Sequence, residues 1–278
     1  MSSAGSPRVT VVIPAWNLGS ELVAAVDSSL EQGPAVEVLV VDNASDEPLP
    51  ETGGRRVVLE QRCSVAAARN AGLAGVTTPY VMFLDADDRL LPGTIAHLLG
   101  LMEQNPELVM ACATPLPWDM EADAPAHRPP FPPRIAYRLC ARRRTFAFAN
   151  LARNLLPVTG CSLIRTDLAR DAGGFSESNF GEDWALGAVL ALRGRVVIDE
   201  RPGSHYAMRG GSLMARGEWS DILAARREIR RRVAADPATP VGVRLSLPVV
   251  FGLQYLSALR RRRYRRAGGA PQAPAPEG

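Results

Sequence analysis

The chain has 278 residues, of which 46% are apolar, and a formal net charge of +3. With a mean hydropathy of −0.03, this excludes a mainly disordered chain and a polytopic membrane protein, and leaves room for one large α/β domain or two small ones. All 32 basic residues are arginine. That excludes a lysine Schiff base and a P-loop lysine, so a bound phosphate would have to be met by arginine, backbone amides or metal.

In chain order, Val9 to Ile13 is a β-branched run ended by Pro14, the pattern of a buried strand. Ser20 to Leu30 reads as a helix and Val36 to Val41 as a second strand ending at Asp42. Arg56 to Leu59 is a short third strand and Val65 to Ala74 an alanine-rich helix. Tyr80 to Leu84 is a fourth strand ending at Asp85. Pro92 to Gln104 reads as a helix with proline in its first turn, and Leu108 to Ala113 as another strand. The proline-rich stretch Thr114 to Pro133 reads as a loop. Beyond it, Phe146 to Leu155 and Asp183 to Leu192 are helical, Val158 to Ile164 and Val196 to Ile198 are strands, and Glu218 to Ala234 is a basic helix.

Alternating strand and helix predicts an α/β fold, a mostly parallel sheet with helices on both faces. Ligands of such sheets bind beyond the carboxyl ends of the strands. Pro14 to Asn17, Asp42 to Ser45 and Asp85 to Asp88 all follow strand ends, so they should converge at one rim. The expected organisation is a flexible N-terminus (1–7), one catalytic domain (8–214), a basic helical extension (215–266) and a disordered tail (267–278). Cys63, Cys112, Cys140 and Cys161 form no CxxC pair and read as free thiols. The short polar start, Met1 to Arg8, carries no signal-peptide pattern. A cytoplasmic protein is expected, peripheral at most to the inner face of a membrane.

The motif Asp85-Ala86-Asp87-Asp88 carries the most chemistry. In extended chain, residues i and i+2 face the same side, so Asp85 and Asp87 could share a hard divalent cation and bridge it to a diphosphate. The competing reading is a loop in which Asp88 caps the next helix and the other carboxylates are solvated.

Four segments in order, Val11-Val12-Ile13-Pro14-Ala15-Trp16-Asn17, Val40-Val41-Asp42-Asn43-Ala44-Ser45, Ala68-Arg69-Asn70-Ala71-Gly72 and Phe83-Leu84-Asp85-Ala86-Asp87-Asp88, resemble the family 2 glycosyltransferases of the GT-A fold. Gly173-Gly174-Phe175 and Glu182-Asp183-Trp184 resemble that family's acceptor-side motif. The resemblance spans about residues 8 to 214. It implies a GT-A-like fold, a nucleotide-diphosphate sugar donor (a UDP-sugar first), Mg²⁺ or Mn²⁺, and inversion at the anomeric carbon. It further implies that Pro14, Ala15 and Asn17 line the nucleotide pocket and that Asp42 receives hydrogen bonds from the base. Arg69 would lie near the base or phosphates, Asp85 at the ribose or sugar, and Asp87 on the metal. Asp183 becomes the candidate general base, removing the acceptor hydroxyl proton. Its alternative is a helix N-cap. Glu182 and Trp184 fall on the acceptor or sugar side, where Glu182 is otherwise an exposed neighbour and Trp184 otherwise a core residue. Trp16 is either a stacking surface for the base or plain packing.

The family often ends its site with a Tyr-Arg-x-His-x-x-Ser pattern. Here the register reads Tyr206-Ala207-Met208-Arg209-Gly210-Gly211-Ser212, with arginine in the histidine place. A guanidinium cannot ligate a metal but can pair with diphosphate oxygens, so Arg209 is expected as a diphosphate clamp. His205 is the alternative metal ligand or a structural residue.

Between Arg216 and Arg266 thirteen arginines face four acidic residues, a local +9 that leaves the rest of the chain at −6. The apolar run Leu245 to Leu259 followed by Arg260 to Arg266 fits either a surface on anionic membrane or a terminal helix with a solvated basic end. Nucleic acid is not expected as a partner, because aromatic interleaving is nearly absent. The acceptor is open among glycans, lipid-linked sugars, peptides and small molecules. Two rival functions remain, a nucleotidyltransferase and a non-catalytic nucleotide-sugar-binding scaffold. The first would call for a Gly-rich, Lys-containing first loop where this chain has Pro14-Ala15-Trp16-Asn17, and the second is disfavoured by retention of Asp87 and Asp183.

Overall fold

The computed structural model describes residues 6–119, 122–126, 132–157, 159–177, 181–208 and 219–252. The first half runs β1 (Val9–Ala15), α1 (Ser20–Leu30), β2 (Val36–Asp42), β3 (Arg55–Val58), α2 (Val65–Ala74), β4 (Tyr80–Phe83), β5 (Arg89–Leu90) and α3 (Thr94–Gln104). The second runs β6 (Leu108–Asp119), β7 (Ala124–Pro125), α4 (Arg134–Leu139), α5 (Arg143–Ala152), β8 (Ser162–Arg165), α6 (Thr166–Asp171), α7 (Glu182–Arg193), β9 (Arg195–Ala207) and α8 (Trp219–Ala235). A last helical stretch, α9, covers 241–252.

Among the described residues one sheet has the order β3-β2-β1-β4-β8-β6-β9-β5, with β7 paired to β6. The four strands β3, β2, β1 and β4 are parallel, with Val9 opposite Val36 and Tyr80 and Ala15 opposite Asp42. Past β4 the sheet is mixed: β8 is antiparallel to β4 and β6, β9 is parallel to β6, and β5 is antiparallel to β9.

Strand alternation sorts the core into two layers. Val9, Val11, Ile13 and Ala15 of β1, with Val38, Val40 and Met82, pack beneath Leu22 and Val26 of α1 and Ile95, Leu98 and Met102 of α3. Val12, Leu39, Val41, Val81 and Phe83 face the other way, onto Leu73 of α2, Leu151 of α5 and the buried side of α7. Both faces of β1 are therefore dry, which is why its sequence is a continuous β-branched run and not an alternating one. Gly72 lets α2 approach the sheet closely: a Cβ there would stand 2.3 Å from Val12 Cγ1.

Several elements depart from the sequence reading, among them the predicted strand Val158 to Ile164, of which only Ser162 onward is strand. Thr114 to Pro133 is not all loop. β6 continues to Asp119 beside β9 and turns into the short β7 hairpin. Proline cannot donate to a ladder, and register shifts around Thr114 set Pro115 opposite Ser204 and Pro117 opposite Tyr206. α3 begins at Thr94 and not at Pro92, because Gly93 takes the left-handed conformation (φ 77) and caps the helix. β9 runs far beyond Ile198, to Ala207.

Candidate active site

The carboxyl ends of β1, β2 and β4 meet at one rim, and hydrogen bonds tie their loops together. Asn43 N donates to the Ala15 carbonyl at 2.8 Å. Asn17, in the left-handed region at φ 51, donates from Nδ2 to Asp46 at 2.6 Å and accepts from Asp46 N at 2.9 Å. Asp42, 7% exposed, accepts Ser45 N at 3.0 Å. Asn43 also fastens the loop ahead of α2 by donating to the Cys63 carbonyl and accepting Cys63 N, both at 2.9 Å. Pro14 and Asp42 thus stand at the rim. The side chain of Ala15 is buried in the core and its carbonyl accepts from Asn43 N. Arg62, which the sequence did not mark, lies over the Trp16 ring at 3.4 Å from its centroid. Trp16 thereby presents an aromatic face at this rim, already in use as a cation–π surface.

The Asp85–Asp88 segment is a turn and not extended chain. Asp88 N donates to the Asp85 carbonyl at 3.0 Å, so an i, i+2 alignment of Asp85 and Asp87 does not arise. Asp88 does not cap α3. It is 2% exposed and accepts Ala207 N at 2.8 Å, latching the turn to the end of β9. Burial first, then the neighbouring Asp85, holds its carboxyl well above the ordinary range. Asp85 and Asp87 are partly exposed.

Arg69 is the hinge of the site. It leaves α2 nearly buried, with its side chain 6% exposed, and donates to Asp85 at 2.5 Å and to Glu182 at 2.9 Å. Burial works against its charge, but Asp85 and Glu182 outweigh that and keep the guanidinium more firmly protonated than an ordinary arginine. Nη1 and Nη2 each meet a carboxylate, so Arg69 binds the two sides of the site together. Glu182 is correspondingly an ion-pair partner and not a solvated neighbour.

Asp183 follows Glu182 in the first turn of α7, whose N-cap is Gly181 at φ 71. Asp183 Oδ1 accepts Trp184 N at 2.7 Å, so it is not the N-cap residue. Burial, then Glu182, raises its carboxyl from 3.8 to about 6, against the opposing pull of the Trp184 N–H and Arg69. A small cavity of about 20 Å³ lies against it, lined by Met110, Leu156, Pro157, Ile164 and Leu186 together with Asn154, Thr159 and Ser162. A carboxylate pushed toward neutrality beside a cavity is suited to moving a proton. Trp184 is 8% exposed and its indole N–H donates to the Asn150 carbonyl at 2.7 Å.

The remaining motif residues hold this arrangement in place. Asn70 accepts Phe175 N at 2.8 Å and donates to the Phe175 carbonyl at 3.0 Å. Phe175 meets Phe83 edge-on at 4.7 Å. Gly174, at φ 62, leaves room for Asn70, whose Oδ1 would stand 2.3 Å from a Cβ. Arg232 of α8 donates to the Gly174 and Phe175 carbonyls at 2.5 and 3.0 Å, a contact that nothing in the local sequence marks. His205 lies flat on Trp118, centroids 3.9 Å apart, and burial and Arg89 lower its pKa. Arg209, Gly210 and Gly211 lie outside the described residues.

The donor set of the turn fits a hard divalent cation: Asp85 and Asp87 are partly exposed and offer oxygen only. Among the described residues no group of three or more His, Cys, Asp or Glu could enclose a metal. The four cysteines are free, and burial pushes Cys112 up to about 12.

A model of the family described as "Glycosyl transferase family 2" matches residues 10–170. The succinoglycan biosynthesis protein ExoO of Rhizobium meliloti (strain 1021) is 26% identical over 253 residues, covering 83% of this chain and 70% of that protein. Among solved structures, S. aureus TarS 1-349 in complex with UDP-GlcNAc superposes with a TM-score of 0.67 at 15% identity, over 90% of this chain and 73% of that one. The mannosyltransferase PcManGT from Pyrobaculum calidifontis, in complex with GDP-Man and Mn²⁺, gives 0.59 at 18% identity, over 95% and 76%. Fold and comparisons together define a glycosyltransferase of the GT-A architecture. The chain belongs to glycosyl transferase family 2.

Proposed function

We propose that this glycosyltransferase moves a sugar from a nucleotide-diphosphate donor, a UDP-sugar first, to an acceptor hydroxyl with inversion and dependence on Mg²⁺ or Mn²⁺. The observation that carries the reading is Asp183, a carboxylate raised to about 6, next in sequence to Glu182, which Arg69 joins to Asp85 of the turn. The complexes of TarS with UDP-GlcNAc and of PcManGT with GDP-Man and Mn²⁺ support the donor class and the metal.

In this reading the rim of Pro14, Asn17 and Asp42 receives the nucleoside, with Asp42 accepting from the base. Asp85, fixed by Arg69, orients the ribose or sugar. Asp87 holds the metal, which would supply charge neutralisation for the departing diphosphate. Arg209 adds a guanidinium to the same diphosphate. Asp183 removes the acceptor hydroxyl proton as that oxygen attacks the anomeric carbon from the face opposite the leaving group. Its raised pKa matches it to a proton taken near neutral pH.

The test is release of UDP or GDP from a panel of nucleotide sugars with Mn²⁺. Release that requires Mn²⁺ and disappears in Asp183→Ala is the expected result. Nucleotide binding with no release from any donor would leave the scaffold reading in its place.

A further inference from the structure

We infer that Arg62 is a base-contacting residue of the donor site, its guanidinium seated on Trp16 so that the nucleobase stacks on the guanidinium's outer face. The inference rests on the nucleotide-donor reading and goes beyond it by naming the surface that meets the base. Its placement comes from three residues knitted together at the rim. Asn43 N donates to the Ala15 carbonyl, and the Asn43 side chain donates to the Cys63 carbonyl and accepts Cys63 N. Trp16, Asp42 and Arg62 are each one residue from this knot. Ring, carboxylate and guanidinium are therefore held at one place although they come from three separate segments.

The indole of Trp16 is seated by its Nε1 edge, which is buried. Arg62 is exposed, and its Cζ lies 3.4 Å from the ring centroid. That is about the contact distance of two carbon atoms, so no base fits between the two groups. Nearby arginines are held by oxygen: Arg55 by Glu37, Arg56 by the Leu49 and Pro50 carbonyls, Arg69 by its two carboxylates. Arg62 makes no ion pair and no hydrogen bond among the described residues, and the ring alone orients it. A guanidinium is planar, always charged and weakly hydrated, and it stacks on π systems. Unstacked nucleobases are recognised on arginine planes as well as on aromatic rings. With one face on Trp16, Arg62 offers its other face beside Asp42, where the proposed function places the base. Trp16 becomes a positioning residue that holds Arg62 flat.

The experiment is calorimetric titration of UDP and GDP, with Mn²⁺, into the unaltered enzyme, Arg62→Ala, Trp16→Leu and the double variant, at low and high salt. Arg62→Ala should weaken the nucleotide that binds at least about fivefold, the worth of one stacked base, with Tm unchanged. The loss should persist at high salt, because stacking is not screened as an exposed ion pair is. In the Trp16→Leu background the same change should cost less than about twofold, since the seat is already gone. A loss that vanishes at high salt makes Arg62 a phosphate contact and overturns the inference, as does a loss that stays whole without the ring. Tighter binding by Arg62→Ala overturns it too, because Arg62 would then only cover a ring that the base must reach. Unchanged affinity in Arg62→Ala overturns this inference alone. Failure of both nucleotides to bind the unaltered enzyme overturns the donor reading, and this inference with it.

Discussion

The parallel half of the sheet, β3-β2-β1-β4, and the mixed half, β8-β6-β9-β5, are built by different means. The first is made of neighbouring βα units whose strands β1, β2 and β4 are largely buried, and its loops are tied by contacts such as Asn17 with Asp46, 29 residues apart. The second depends on partners far apart in the chain: Ala207 with Asp88, Gly203 with Thr94, Arg232 with Phe175. The Asp85–Asp87 turn belongs to the first half and Asp183 to α7, which packs with the second. Arg69 joins them. In the proposed function, the rim that would bind the donor and the helix that would supply the base are thus separable parts, joined by one buried guanidinium.

The largest expected effect separates the two parts. Asp183→Asn should lower turnover by about 10²- to 10⁴-fold, the usual worth of general base catalysis, measured as initial rates of nucleotide release. The same change should raise Tm by about 2–4 °C. The sign follows from linkage: a carboxyl raised from 3.8 to about 6 stabilises the fold fully below its unfolded pKa. That stabilisation is lost as pH rises through about 6, so the charged form is a cost at neutral pH. Turnover of the unaltered enzyme should rise with pH through about 6 and level off above it, as the base deprotonates.

Next in size is the link itself. Arg69→Ala leaves Asp85 and Glu182 without their buried partner and should cost about 3–5 kcal/mol in denaturant unfolding. A smaller effect is expected inside the parallel half. Gly72→Ala forces a methyl against Val12 and should cost about 1–3 kcal/mol. Smallest is Gly100→Ala on α3, where a Cβ meets only the end of the Gln104 side chain, at 4.0 Å. That change should stabilise by about 0.5–1 kcal/mol through helix propensity. Opposite signs for one substitution at two helical glycines would sharpen the claim that α2, and not α3, is held by close approach to the sheet.

The same division explains what the sequence disclosed. β1, β2 and β4 were legible because burial on both faces writes an unbroken β-branched run, and the rim follows from where those runs end. The prolines of β6 concealed its extension: Pro115 and Pro117 read as breakers, and only their register against β9 makes them acceptable. The role of Arg69 was not legible either, since Asp85 and Glu182 lie 16 and 113 residues away and pattern carries no distance. Which reading of Trp184 holds was not legible for the same reason: its neighbour Glu182 meets Arg69, while helical rotation turns its indole toward Asn150.

The most direct test of the division is to measure donor Kd and turnover together in Asp183→Asn, with Mn²⁺ present. Separable parts predict a UDP-sugar Kd within about twofold of the unaltered enzyme and turnover reduced by at least about 10²-fold, a loss confined to the transition state. A Kd weakened in step with turnover, or turnover left intact, would contradict the account.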